Sequence, residues 1–244
     1  LQEEWVSNDY SAEVGFVRRR GYKNLSGKAG HLFFPKAGPI LSHGPELNGF
    51  YYFNEQLKET DHTAYLAYKF DFRKRSTLLF FLSDDYVELL SPFDPSGLGI
   101  SNLTTGSQHN WNAFGWEFQS KPQSLFTYSF TGRLGGYYQD GSRTSLTSEV
   151  GYRFQPYVSL KANLNYNHIN LPAPWNTNEF WLIGAEADIT FTNKLFFANL
   201  LQYNEQSNNF NINSRFQWRY SPASDLFIVY TNNYFIEPYQ SRNW

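Results

Sequence analysis

Apolar and polar residues alternate with a period of two over long stretches of this chain. Across 142–154, Leu146, Val150, Tyr152 and Phe154 share one parity, while Arg143, Thr147, Glu149 and Arg153 take the other. Across 157–167, Val158, Leu160, Ala162, Leu164 and Tyr166 alternate with Ser159, Lys161, Asn163, Asn165 and Asn167. Across 210–220, Phe210, Ile212, Phe216, Trp218 and Tyr220 oppose Asn211, Asn213, Arg215, Gln217 and Arg219. A two-residue period places each set on its own face of a β-sheet. The segments 194–204 and 225–235 alternate less cleanly, and the pattern alone does not assign their faces.

From about residue 40 onward, turn signals cut the chain into strand-length pieces. They fall at 46–57, 62–73, 77–87, 108–119, 124–138, 142–154, 157–169, 179–191, 194–204, 210–220 and 225–235. Soluble strands average about 5–6 residues, whereas a tilted strand crossing a bilayer needs about 9–11. These pieces have the membrane length. The connections alternate as well. One set is short: 74–76, 121–123, 155–156, 192–193 and 221–224. The other is more variable: 58–61, 88–107, 140–141, 170–178 and 205–209. Short periplasmic turns and longer extracellular loops mark up-and-down outer-membrane barrels. The loop 88–107, with Pro92, Pro95, Gly97, Gly99 and Gly106, is long enough to cap a pore or fold into it.

Composition supports the same reading. Charged residues make up 17% and aromatics 20%, with 23 Phe, 18 Tyr and 7 Trp, yet the mean hydropathy is -0.54. A soluble core would use aliphatics rather than so many tyrosines; a barrel bands its two interfaces with aromatics. No run approaches the length of an apolar transmembrane helix. The net charge of -2 and the lack of a long basic stretch exclude nucleic acid as an expected partner. There is no Cys, so disulfides and thiolate metal sites are excluded. There is no Met either, so the chain is expected to belong to a longer precursor. The expected fold is all-β: an antiparallel up-and-down transmembrane β-barrel, with about 11–13 strands in this fragment of a larger barrel. Residues 1–39 are expected to form an irregular start with one or two strands, and 40–244 the transmembrane strands. If the turn at 221–224 is periplasmic, 236–243 is an extracellular loop and Trp244 opens a returning strand, so a closing strand is expected to be missing.

The motifs Val14-Gly15-Phe16-Val17-Arg18 and Leu201-Gln202-Tyr203-Asn204, and the run from Asn213 through Ser221-Pro222-Ala223-Ser224 to Phe227, carry a resemblance. They resemble the C-terminal barrel of a Bacteroidota-type outer-membrane family of unknown function. In that family the barrel follows a module similar to family 9 carbohydrate-binding domains. The likeness is strongest over 199–230 and collinear over most of the chain; Ala223 stands where the family pattern has glycine. The resemblance implies a Gram-negative outer-membrane location and an N-terminal carbohydrate-binding-like domain outside this chain. It implies no activity.

The candidate functional set is a lumen lining: Lys69, Asp71, Arg73, Glu117, Arg133, Arg143, Glu149, Arg153, Lys161, Glu186, Asp188, Arg215 and Arg219. Both signs interleave, which suits a network bracing neighbouring strands or a selectivity lining for a solute. Arg18-Arg19-Arg20 reads as a rim or lumen cluster, or as a specific anion or lipid-phosphate site. Asp61-His62 with Asp84-Asp85, near the variable-loop rim, is the candidate group for hydrolase chemistry. No His is followed by Ser at the spacing of a phospholipase-like strand, although Ser42 precedes His43. No two histidines sit two apart on a strand; Asp84, Asp85 and Asp94 offer at most a weak calcium site. No cofactor is expected. Tyr137, Tyr138, Trp175, Trp181, Trp218, Tyr220, Tyr234 and Tyr239 read as an interfacial girdle, with sugar stacking on Trp175 as the sharper option. The expected function is a non-enzymatic outer-membrane barrel, passing a solute or anchoring a binding domain and its partners. The other readings are a structural subunit of an outer-membrane complex, an outer-membrane hydrolase and a soluble all-β binding module. Expected partners are outer-membrane lipid or lipopolysaccharide, other outer-membrane proteins or lipoproteins, and carbohydrate.

Overall fold

The structure, a computed structural model, describes residues 1–11 and 19–235. The Val14 to Arg18 motif, Tyr239 and the 236–244 segment therefore lie outside the described residues. The protein is all-β. Its strands are β1 (Gln2–Val6), β2 (Tyr22–Gly30), β3 (Ile40–Asn54), β4 (Glu59–Phe72), β5 (Thr77–Glu88), β6 (Gln108–Gln119), β7 (Phe126–Gly136), β8 (Ser142–Phe154), β9 (Val158–Asn170), β10 (Thr177–Thr192), β11 (Leu195–Asn204), β12 (Asn209–Ser221) and β13 (Ser224–Phe235). They form one sheet in chain order, β1 through β13, which does not close on itself. Among the described residues one 3₁₀ turn, Tyr138–Asp140, interrupts the pattern. The antiparallel up-and-down arrangement expected from the alternation is present.

The chain groups into two compact units. One comprises Leu1–Glu117, Arg133–Thr144 and Ile169–Asn178; the other comprises Phe118–Gly132, Ser145–His168 and Glu179–Trp244. In both, burial follows strand parity in the reverse of the soluble sense. On β4, Leu66 is 56% exposed while its neighbour Ala67 is 3% exposed; on β5, Leu82 is 60% exposed and Ser83 is 4%. On β9, Leu160 and Leu164 are exposed, whereas Lys161, Asn163 and Asn165 are half-buried and Asn167 is buried. On these strands the apolar face looks out and the polar face is covered, whereas on β12 both faces are open, with Asn213, Arg215 and Arg219 exposed along with Trp218 and Tyr220.

Register assigns the two strands whose pattern is ambiguous. Leu200 opposes Asn213, and Ala198 opposes Arg215, so Phe196, Ala198 and Leu200 of β11 belong to the polar face. Likewise Phe227 opposes Gln217 and Val229 opposes Arg215, which puts both on the polar face of β13. Leu226, Ile228 and Tyr230 then share the apolar face with Phe216 and Trp218. Apolar residues on both faces erase the period-two signal in these strands.

Turn chemistry sets the ends. In the β12–β13 hairpin, Pro222 is followed by Ala223 at φ 60. Proline followed by a positive φ is the demand of a type II turn, which favours glycine at the second place. On the same side of the sheet, 31–39 joins β2 to β3 and is longer than the turns beside it. Arg73 ties it down: its backbone N–H donates to the carbonyl of Pro39 at 2.8 Å, its Nε to that of Gly38 at 3.0 Å and an Nη to that of Pro35 at 2.7 Å.

Candidate functional site: the polar face and its loop

In the first unit the polar face is a chain of paired charges. Arg133 on β7 donates to the Asp85 carboxylate and, at 3.1 Å, to the Ser83 hydroxyl, both on β5. Thr63 donates to the same carboxylate at 3.0 Å. Lys69 and Asp71 pair at 3.0 Å, and Ser42 donates to Asp71 at 3.1 Å. Towards the variable-loop end, Arg19 donates to Asp61 and Thr60, each at 2.6 Å, with its guanidinium against Tyr22 and Tyr52. Glu117 shares the parity of buried Ala113 and Gly115 on β6. Arg73 sits just past β4 as the clamp described above.

In the second unit the pairs are looser. Lys161 meets Glu186 at 3.4 Å, and Asp188 and Arg215 line an open groove of about 380 Å³ with Glu186 and Asn213. Arg219 meets Asp225 at 3.2 Å and lies over the Phe196 ring. Arg153 donates to the carbonyls of Pro122 and Ser124, both at 2.6 Å. Glu149, Arg153 and Lys161 border a groove of about 210 Å³. The side chains of the two ion pairs keep 23–45% exposure, so each pair bridges its strands but adds little stability by itself.

Within the first unit, the loop 89–107 is folded rather than loose. Leu89 and Leu103 are buried, Phe93 and Leu103 form a backbone bridge, and Trp175 donates from Nε1 to the carbonyl of Ser101 at 2.8 Å. Asn178 donates to the Ser96 carbonyl at 3.3 Å. The Asp94 carboxylate accepts from the Ser96 hydroxyl at 2.7 Å and from the backbone N–H of Ser96, Gly99 and Ile100. Burial alone would raise this carboxyl, but those donors outweigh it and hold it below the usual carboxylate range. Phe93 packs on Tyr138, which also meets Trp111, His109 and Tyr137. Arg143 lies over the Tyr137 ring. Burial foremost, then the neighbouring Tyr137, pushes the Tyr138 phenol up to about 12.

Strand parity disperses the hydrolase candidates. His62 Nδ1 lies 2.6 Å from Glu59, and its Nε2 lies 3.2 Å from Asp84, between the rings of Tyr51 and Tyr86 on the apolar face. Asp61 and Asp85, one residue along on each strand, face the other way to Arg19 and Arg133. The same parity parts Ser42, which donates to Asp71, from His43, whose Nδ1 lies 2.7 Å from the Tyr68 hydroxyl. No hydroxyl nucleophile is among the described partners of His62. Asp84, Asp85 and Asp94 are each engaged in a different place, and among the described residues no group of three His or carboxylate side chains is placed to hold a metal ion.

No family model, curated protein or solved structure matches this chain. Function therefore has to be argued from the two faces. The girdle residues divide: Trp181, Trp218, Tyr220 and Tyr234 are exposed, whereas Trp175 is buried against the loop and offers no open ring for a sugar. Tyr137 and Tyr138 belong to the aromatic cluster under the loop. That cluster leaves no mark in the sequence pattern, because Phe93 lies in a loop and the 3₁₀ turn breaks the alternation at Tyr138.

Proposed function

We propose that this chain is part of an integral outer-membrane β-barrel, non-enzymatic, whose polar face lines an aqueous interior and whose apolar face meets hydrocarbon. The inverted burial carries the reading. Burying a Leu or Phe side chain is worth about 1.5–3 kcal/mol. Leaving ten of them half-exposed to water would forfeit on the order of 10 kcal/mol, comparable to a domain's whole stability of about 5–15 kcal/mol. The aromatic bands and strand lengths fit the same solvent. The resemblance to a Bacteroidota-type barrel family supports the location.

Between a conduit and an anchor, the docked loop 89–107 favours an anchor or a conduit closed in its resting state. Purified protein added to neutral phosphatidylcholine vesicles should float with them and resist extraction by high salt and alkali. Protein that stays monodisperse in buffer without detergent would overturn the reading. Planar-bilayer recording then tests the open conduit: steady conductance supports it, and silence supports an anchor or a conduit closed at rest.

A further inference from the structure

The connections of the sheet differ in charge as well as length. On the short-turn side, the connections 31–39, 73–76, 120–125, 155–157, 193–194 and 222–223 carry Lys36, Arg73, Lys74, Arg75, Lys121 and Lys194 and no carboxylate at all. None of these six cations pairs with an acid among the described residues; Arg73 is spent on the 31–39 carbonyls. On the opposite side, the described connections carry Asp9, Glu55, Asp94, Asp140 and Glu205 against Arg19, Arg20 and Lys58. Each unit shows the segregation by itself. The first has Lys36, Lys74 and Arg75 exposed beside Phe33 and Phe34; the second has Lys121 and Lys194 exposed beside Phe154, Tyr157 and Phe191.

We infer that the short-turn side is a docking belt for the anionic headgroups of phospholipids in the leaflet it adjoins. This rests on the membrane reading above and adds a lipid preference to it. Unpaired Lys and Arg near a bilayer surface attract anionic lipid, each by a modest and additive amount. Aromatic side chains beside them anchor at the same depth. A pocket for one folded acidic partner would be concave and local. Here the cations are spread one or a few per turn, as a headgroup layer requires.

The test compares protein in nanodiscs of phosphatidylcholine alone with protein in nanodiscs containing about a third phosphatidylglycerol. The wild type should melt about 2–4 °C higher with the anionic lipid at low salt. The gain should disappear in concentrated sodium chloride, where the screening length is a few ångströms. Replacing Lys36, Lys74, Arg75, Lys121 and Lys194 together with Gln should abolish it, whereas Arg20→Gln on the other side should keep it. Should the fivefold variant not fold, the wild-type salt dependence still decides. No gain in the wild type, or an undiminished gain in the variant, overturns the inference. So does equal protection by soluble polyglutamate in phosphatidylcholine discs, which would assign the belt to an acidic polymer. Failure to enter neutral discs at all would instead sink the membrane reading.

Discussion

Arg133 on β7 reaches Asp85 on β5 across the intervening strand β6. The crossing depends on what β6 puts beneath it. Ala113 and Gly115, on that face, are both buried, and the Ser83 hydroxyl lies 3.5 Å from the carbonyl of Ala113. Small side chains on the middle strand leave room for a guanidinium to lie flat over it. Asp85 is 6% exposed, and Arg133 is its one cationic partner among the described residues.

Arg133→Met should therefore destabilise the protein by about 1–3 kcal/mol, less than the cost of breaking a fully buried pair because the arginine itself is partly solvated. Arg133→Met combined with Asp85→Asn should recover part of the loss. Ala113→Leu, which fills the space under the arginine, should cost about 1–3 kcal/mol without touching either charge. Urea unfolding in detergent micelles measures all three.

Ala223→Gly should stabilise the β12–β13 hairpin. Ala223 holds φ at 60, where its Cβ crowds the backbone. Glycine adopts that conformation without the clash, so the exchange should gain about 0.5–1 kcal/mol even after glycine's larger unfolded-state entropy is counted. An unchanged or lowered urea midpoint would show that the hairpin relaxes out of the left-handed region.

The alternation in β8, β9 and β12 is enough to read strand type and to part charged from apolar residues by face, and the alternating short and variable connections give the up-and-down order. Where one residue type dominated both faces, as in Phe196 to Leu200 and Leu226 to Tyr230, only register could assign them. Local pattern also could not foresee Arg133 reaching past a neighbour, since that depends on Ala113 two strand-lengths away in sequence. The docked loop was legible only as a length. Its folding rests on Trp175 and Asn178 finding backbone atoms distant in the chain and on Asp94 gathering N–H groups of its own loop, and no periodicity encodes such contacts.

Trp175→Phe keeps the buried ring and removes the Nε1 donor to Ser101. Losing one partly buried hydrogen bond costs about 1 kcal/mol. Because a loop opens locally before the sheet unfolds, the whole-protein midpoint should barely move. Cleavage within 89–107 by a protease at limiting concentration should accelerate about fivefold. Equal acceleration at other loops would mean that Trp175 supports the fold rather than the loop.

The same loop is sensitive to pH through Asp94. Asp94 is held below the ordinary carboxylate range by Ser96, Gly99 and Ile100, so its folded value lies under its unfolded one, near about 3.9. A group depressed on folding contributes stability that is fully present above the unfolded value. That contribution is lost as pH falls through the folded value. Hydrogen exchange of the Gly99 and Ile100 amides, corrected for intrinsic rates, should thus be flat from neutral pH to about 5 and rise below about 4. Asp94→Asn keeps an acceptor without the charge, so its exchange should start faster and show no acid step. If the variant kept the step, the acid sensitivity would belong to another carboxylate, and the loop's docking would not depend on the charge at Asp94.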